Sequence, residues 1–245
     1  MAGAIIHTGR IGDDSGLATM NNITGKVVVI TDAGSRLGEA AARHLSEQGA
    51  IVALGSEKLH HIRELAHELA WTGARVIAVE ADLKQKTQVK ALVRQAATAF
   101  GTVDVLVTCR DTVLEQDMDA CAAAHSEPAC RIEQARIPAA IGAVLPLMLS
   151  QQRGHIIELL CASETAQLAN FGNALGGGVL FDTLQASNIR TTTISAKAPA
   201  SSERIGGGCE ASFARALAFA ISQPEGMDVN EIVIGASARR SGSEP

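Results

Sequence analysis

Short runs of consecutive apolar, mostly β-branched residues recur along this chain, and each is followed by a longer stretch with helical spacing. The runs are Lys26–Thr31, Ala50–Gly55, Arg75–Val79, Val103–Thr108, His155–Leu160, Ile189–Ile194 and Glu231–Ile234. A strand with one wet face alternates apolar and polar residues. VVVI and DVLV do not alternate, so they read as strands buried on both faces, as in a parallel sheet. Helical patterns near 35–48, 57–72, 86–100, 131–150, 172–187 and 209–222 separate them.

Strand–helix alternation with short links predicts right-handed crossovers and an α/β, doubly wound parallel sheet, the Rossmann arrangement, in a single domain. Residues 1–22 read as a glycine-rich N-terminal extension, 23–236 as the domain and 237–245 as a polar tail. At 245 residues the chain is long enough for one sizeable core. Apolar residues make up 47% and charged residues 19%, a globular balance rather than a disordered one.

The net charge is −5, and no basic cluster exceeds Arg239-Arg240, so there is no electrostatic footprint for nucleic acid. No apolar stretch is long enough to span a membrane, and the first residues lack the pattern of a secretory signal. The cysteines, at 109, 121, 130, 161 and 209, are odd in number and form no C-x-x-C pair. Reduced thiols and a cytoplasmic location are the expectation. One composition figure constrains chemistry directly: the chain contains 0 tyrosines, so no phenol can serve as a proton donor.

After the first strand comes Asp32-Ala33-Gly34-Ser35-Arg36-Leu37-Gly38, then a helix. A strand, a turn of small residues and a helix N-terminus form an anion site, because free backbone N–H groups and the helix dipole point outward there. Thr31, Gly34, Ser35, Arg36, Leu37 and Gly38 are therefore candidate contacts for a dinucleotide pyrophosphate. The alternative is a capped helix with no ligand.

Several segments carry a family resemblance. TGKVVVIT at 24–31, FGTVDVLV at 100–107, VLPLM at 144–148, GHII at 154–157 and AISQPEGMDVNEIVI at 220–234 resemble the framework of the short-chain dehydrogenase/reductase family. Asp82-Leu83 is similar to that family's adenine-contacting acidic position. The resemblance implies NAD or NADP, an oxidoreductase scaffold and an oligomer.

The functional positions depart from the family pattern. Its cofactor turn reads T-G-x-x-x-G-x-G; Thr31 and Gly38 match, but Asp32 and Arg36 stand at the first two glycines. A carboxylate at Asp32 crowds the turn and repels a pyrophosphate, unless it acts as a built-in anion at the helix end. Arg36 can offset that charge by reaching a phosphate. Whether a dinucleotide is still bound stays open. So does the choice of cofactor, because Glu57 and Lys58, after the second strand, point opposite ways.

The family's proton chemistry uses serine, tyrosine and lysine around the reacting bond, with an asparagine supporting a relay water. Along the matching framework, Cys161 stands at the serine, Asn173 at the tyrosine, Gly177 at the lysine and Glu133 near the asparagine. An amide is no proton acid near neutrality, and glycine supplies no charge. Ser195-Ala196-Lys197 replaces the family's Pro-Gly. The expectation is a non-catalytic member in a homo-oligomer, or in a hetero-oligomer with an active relative. The alternatives are an oxidoreductase using other groups, such as Glu133 or Lys197, and a lyase, isomerase or cyclase without nicotinamide.

Other constellations read as ordinary structure. Cys161 as a nucleophile needs a base, but His155 lies six residues back, roughly 20 Å along a strand. His60, Glu64 and His67 share helical spacing, yet their charge-rich setting reads as a solvated face rather than a metal site. The helices at 131–150 and 172–187, rich in small and apolar residues, are the expected oligomer surface.

Overall fold

The computed structural model describes residues 5–7, 22–111, 128–161, 184, 186–197, 209–224 and 226–235. In chain order the elements are β1 (Ile5–His7), β2 (Val27–Ile30), α1 (Arg36–Glu47), β3 (Ile51–Ser56) and α2 (Leu59–Trp71). They continue with β4 (Val76–Glu80), α3 (Lys86–Phe100), β5 (Val105–Asp111), α4 (Pro128–Gln151) and β6 (Gly154–Cys161). β7 (Ile189–Lys197), α5 (Cys209–Ser222) and β8 (Glu231–Gly235) complete the set.

One 8-stranded sheet runs in the order β1-β4-β3-β2-β5-β6-β7-β8. From β4 to β8 every pairing is parallel, which gives the doubly wound arrangement expected from the apolar runs. β1 is the exception. It pairs antiparallel with β4, His7 opposite Val76 and Ile5 opposite Ala78. The sequence offered no strand in residues 1–22, because three residues are too short a run to establish a period of two.

Successive strand residues feed opposite cores. Val28 and Ile30 of β2 pack with Leu37, Ala41 and Leu45 of α1, with Ile62, Leu65 and Leu69 of α2, and with Phe213, Leu217 and Ile221 of α5. Val29 packs on the other side with Val89, Leu92 and Val93 of α3 and with Ile141, Val144 and Met148 of α4. The buried positions of each helix recur three or four apart, the spacing that brings one stripe to the sheet. Of the expected 172–187 helix, Leu184 and Ala186 are helical and Leu184 is buried; the other positions from 172 to 185 lie outside the described residues.

Strand limits shift by a few residues from those expected. β5 begins at Val105 rather than Val103; just before it, Asp104 Oδ2 accepts the Val27 N–H at 2.9 Å and the Asp104 N–H donates to the Val27 carbonyl at 2.9 Å. β5 then runs on to Asp111, held by β6 as far as the pairing of Asp111 with Cys161. Ahead of β2, Ile23 is buried, and the Asn22 amide donates to the Ser222 carbonyl at 3.0 Å. The outer face of α2 is solvated as its charges suggest; His60 and Glu64 are exposed and 3.3 Å apart.

Candidate functional site

In a doubly wound sheet the strand order reverses at one place, and a crevice opens beyond the carboxyl ends of the two strands there. Here that place lies between β2 and β5, paired at Val28 with Val105 and Ile30 with Val107. Thr31 closes β2 against this neighbour: its N–H donates to the Val107 carbonyl at 3.0 Å and it is buried.

The turn after Thr31 is tightly tied. The Ala33 N–H donates to the Gly55 carbonyl at 2.9 Å, which docks the turn on β3. The Ser35 N–H and hydroxyl both donate to the Asp32 carbonyl, at 3.1 and 2.8 Å. The same hydroxyl oxygen accepts the Gly38 N–H at 3.1 Å, so Ser35 is the N-cap of α1. Sequence reasoning considered Asp32 for the role of anion at the helix end. The structure gives the cap to Ser35, whose extended backbone suits it, and leaves Asp32 half-buried in the turn.

Two glycines hold this geometry by their lack of a side chain. A Cβ on Gly38 would collide with the Asp32 carbonyl and lie 2.8 Å from the Ala33 Cα. A Cβ on Gly34 would lie 2.6 Å from the Ser56 hydroxyl oxygen. The backbone therefore keeps the close strand–turn–helix approach that a pyrophosphate cradle requires.

Arg36 is turned to α5, where its guanidinium pairs with Glu210. This ion pair across to α5 is a contact that its position in the sequence does not announce.

At the far end of the turn, Ser56 closes β3 and is buried, and its hydroxyl oxygen accepts the Lys58 N–H at 3.1 Å. Glu57 and Lys58, which follow β3, are both exposed. Asp82 and Leu83 follow β4 directly. Asp82 Oδ1 accepts the Lys84 N–H at 2.8 Å, and Oδ2 accepts from the Gln85 side chain at 3.0 Å. The Lys84 N–H, foremost, holds the Asp82 carboxyl below its ordinary range. Leu83 is buried among the α3 contacts.

At the reaction end, Cys161 is the last residue of β6, between Asp111 of β5 and Ala196 of β7. Glu133 lies in α4, and Lys197 ends β7. Asn173 and Gly177 lie outside the described residues, as do the side chains of Glu133, Cys161 and Lys197. β6 is continuous from Gly154 to Cys161, which places His155 and Cys161 at opposite ends of one strand. They form no nucleophile–base pair.

Sequence reasoning passed over Glu158. It is 1% exposed, between Thr108 of β5 and Thr193 of β7, near the carboxyl end of the sheet. A charged residue inside the apolar run GHIIELLC was the available signal. Among the described residues, no group of three His, Cys, Asp or Glu is placed to hold a metal, and no helix is long and apolar enough to cross a membrane.

Comparison with known proteins agrees with this architecture. The model of the short chain dehydrogenase family matches residues 26–174, more than half of the chain. The chain belongs to the short chain dehydrogenase family. Among its relatives in that family, an uncharacterized oxidoreductase of Staphylococcus saprophyticus is 28% identical over 248 residues, covering 90% of this chain and 99% of the relative. Another, from Staphylococcus aureus, is 26% identical over 233 residues, covering 88% and 99%. A metagenomic short-chain oxidoreductase solved in complex with NADP superposes with a TM-score of 0.68 at 20% identity, covering 89% of this chain and 100% of its own. An alcohol dehydrogenase from Thermococcus sibiricus, complexed with 5-hydroxy-NADP, gives 0.63 at 21% identity, covering 85% and 95%. This short chain dehydrogenase therefore shares the fold of NADP-bound neighbours, while its turn carries Asp32 and Arg36.

Proposed function

We propose that this chain is a non-catalytic member of its family, a structural or regulatory subunit of a cytoplasmic oligomer. The observation that carries the reading is the absence of tyrosine from all 245 residues. Hydride transfer to a carbonyl carbon needs a proton donor beside the carbonyl oxygen, which becomes the hydroxyl. With Cys161, Asn173 and Gly177 at the family's serine, tyrosine and lysine positions, three roles are lost together, and residues that act as a unit lose activity together. Asp32 and Arg36 at the first two glycine positions of the cofactor turn support the same conclusion from the cofactor side.

The oligomer would form through α4 and the segment 172–187, as a homo-oligomer or with an active relative. α4 is apolar around most of its circumference, and Leu145, Leu147 and Leu149 stay half-buried on the sheet, with surface left to cover. The decisive experiment assays the purified chain for reductase activity with NADH and NADPH over a panel of ketones and aldehydes, alone and after co-expression with active relatives. No turnover alone, together with a stable oligomer, is the expected result. Turnover at a rate normal for the family refutes the reading.

A second reading rests on the intact backbone of the turn. Ser35, Gly34 and Gly38 keep the cradle's shape, and Asp82-Leu83 keeps its place beyond β4. On this reading NAD or NADP is bound, and Glu133 or Lys197 handles the proton. Fluorescence titration with both reduced cofactors tests it; no binding at millimolar concentration excludes it.

A further inference from the structure

The outer face of α3 carries charge of one sign only. Lys86, Lys90 and Arg94 stand four residues apart, and all three are exposed. That spacing stacks them in one row along the helix, with steps of about 6 Å and a length of about 12 Å. Thr87 and Thr98 are exposed beside the row and Ala91 is half-buried there, so the ground around the cations is neutral and low. The helix, KTQVKALVRQAATAF, contains no acidic residue. In sequence the row is inconspicuous, because no two of its cations are adjacent.

The row runs against helix electrostatics. Like charges four apart repel, and here they do so twice, Lys86 with Lys90 and Lys90 with Arg94. Lys86 is also the first residue of α3, where the helix dipole disfavours a cation. Elsewhere the fold answers such charges: Glu39 and Glu68 hold Arg43, and Glu210 holds Arg36. None of the three α3 cations makes an ion pair with a described residue. Asp82, ahead of the helix, is taken up by the Lys84 N–H and the Gln85 side chain. A chain of net charge −5 thus keeps a straight row of cations that folding does not use.

We propose that this row docks an acidic α-helix of a partner protein, one whose carboxylates also recur every four residues. Such a helix presents its charges at the same step of about 6 Å, so three ion pairs form along one line of contact. The short side chains of Thr87, Ala91 and Thr98 let the two helices approach. A lipid surface fits less well, because the exposed large apolar side chains, Trp71, Phe219, Met227 and Val233, all lie off α3 and cannot enter the headgroup layer from this face. Nucleic acid fits less well too, because a long polyanion meets the repulsion of the whole chain's negative charge.

The test is fluorescence anisotropy of the full chain with a labelled, stapled helical peptide carrying glutamate at every fourth position, at low ionic strength and pH 7. The same peptide with glutamine, a DNA duplex and vesicles containing phosphatidylserine are titrated beside it. Saturable binding of the glutamate peptide is expected, about tenfold tighter than that of the glutamine peptide and several-fold weaker once salt rises from about 50 to about 200 mM. Lys90→Glu is expected to weaken binding more than tenfold and to raise the urea midpoint, because it turns two repulsions within α3 into attractions. Stability and binding then move in opposite directions, which separates lost docking from lost folding. Lys90→Gln weakens binding about threefold, and Arg215→Gln, at an exposed cation of α5, leaves it unchanged. Absence of saturable binding, equal affinity for the glutamine peptide, an unaltered curve with Lys90→Glu, loss through Arg215→Gln, or tighter binding of the DNA or the vesicles would each overturn the proposal.

Discussion

The guanidinium of Arg36, the first residue of α1, is paired with the carboxylate of Glu210, near the start of α5. The pair crosses from the turn that follows β2 to the helix that precedes β8. It commits a cation that would otherwise face the crevice. Glu210→Gln releases it and removes one negative charge from the surroundings of the cradle. If the cradle accepts phosphates, NADPH affinity rises about fivefold in a fluorescence titration, while folding stability changes by no more than about 0.5 kcal/mol. An unchanged titration curve would mean that Glu210 does not restrain Arg36.

Asp32→Gly separates binding from chemistry. Removing the carboxylate restores the small residue that the turn accommodates best and is expected to tighten NADPH by about tenfold. Turnover stays at background, because no proton donor is gained. Reductase activity appearing in this variant would show that the chain already holds a working acid.

Gly38→Ala tests the closeness of the turn. The added methyl meets the Asp32 carbonyl and the Ala33 Cα, both backbone atoms that cannot rotate away. Overpacking of this kind costs about 1–3 kcal/mol, to be read as a lower urea midpoint with an unchanged slope. A variant as stable as the parent would contradict the described turn.

His155 predicts an acid limb in stability. Burial foremost, with Arg190 and Lys26 adding to it, pushes the imidazole down to about 3. The folded protein therefore keeps this side chain neutral where the unfolded chain, titrating near 6.5, binds a proton. Its share of stability is complete above pH 6.5 and declines as the pH falls toward 3. Between pH 7.5 and pH 5 the loss amounts to roughly 2 kcal/mol. Urea unfolding of the parent and of His155→Phe at several pH values checks it. The variant lacks this part of the slope, and parallel curves would assign the acid sensitivity elsewhere.

The sheet was legible because its strands carry no polar alternation: VVVI, VIAV and DVLV admit few arrangements other than burial on both faces. Each appears as a parallel strand within a few residues of the expected limits. The cradle was legible as a motif but not in its side chains. Nothing near Arg36 in sequence announces Glu210, 174 positions away, and Ser35 and Asp32 are equally plausible caps until the backbone is traced. A cleft at the amino ends of the strands was hidden for a related reason. Lys26 precedes β2, Arg153 and His155 lie at the start of β6 and Arg190 at the start of β7, and only the lateral order of those strands gathers them.

β1 gives the sheet a hem. A lateral strand with open amides and carbonyls is a template for any passing extended peptide, and here Ile5–His7 occupies that position along β4. Removing the first twenty-one residues would leave Val76–Glu80 as a bare selvage, apolar along most of its length. Trimming the chain to its family-matching portion therefore trades a finished margin for a sticky one, and a shortened preparation that self-associates would owe this to its missing hem.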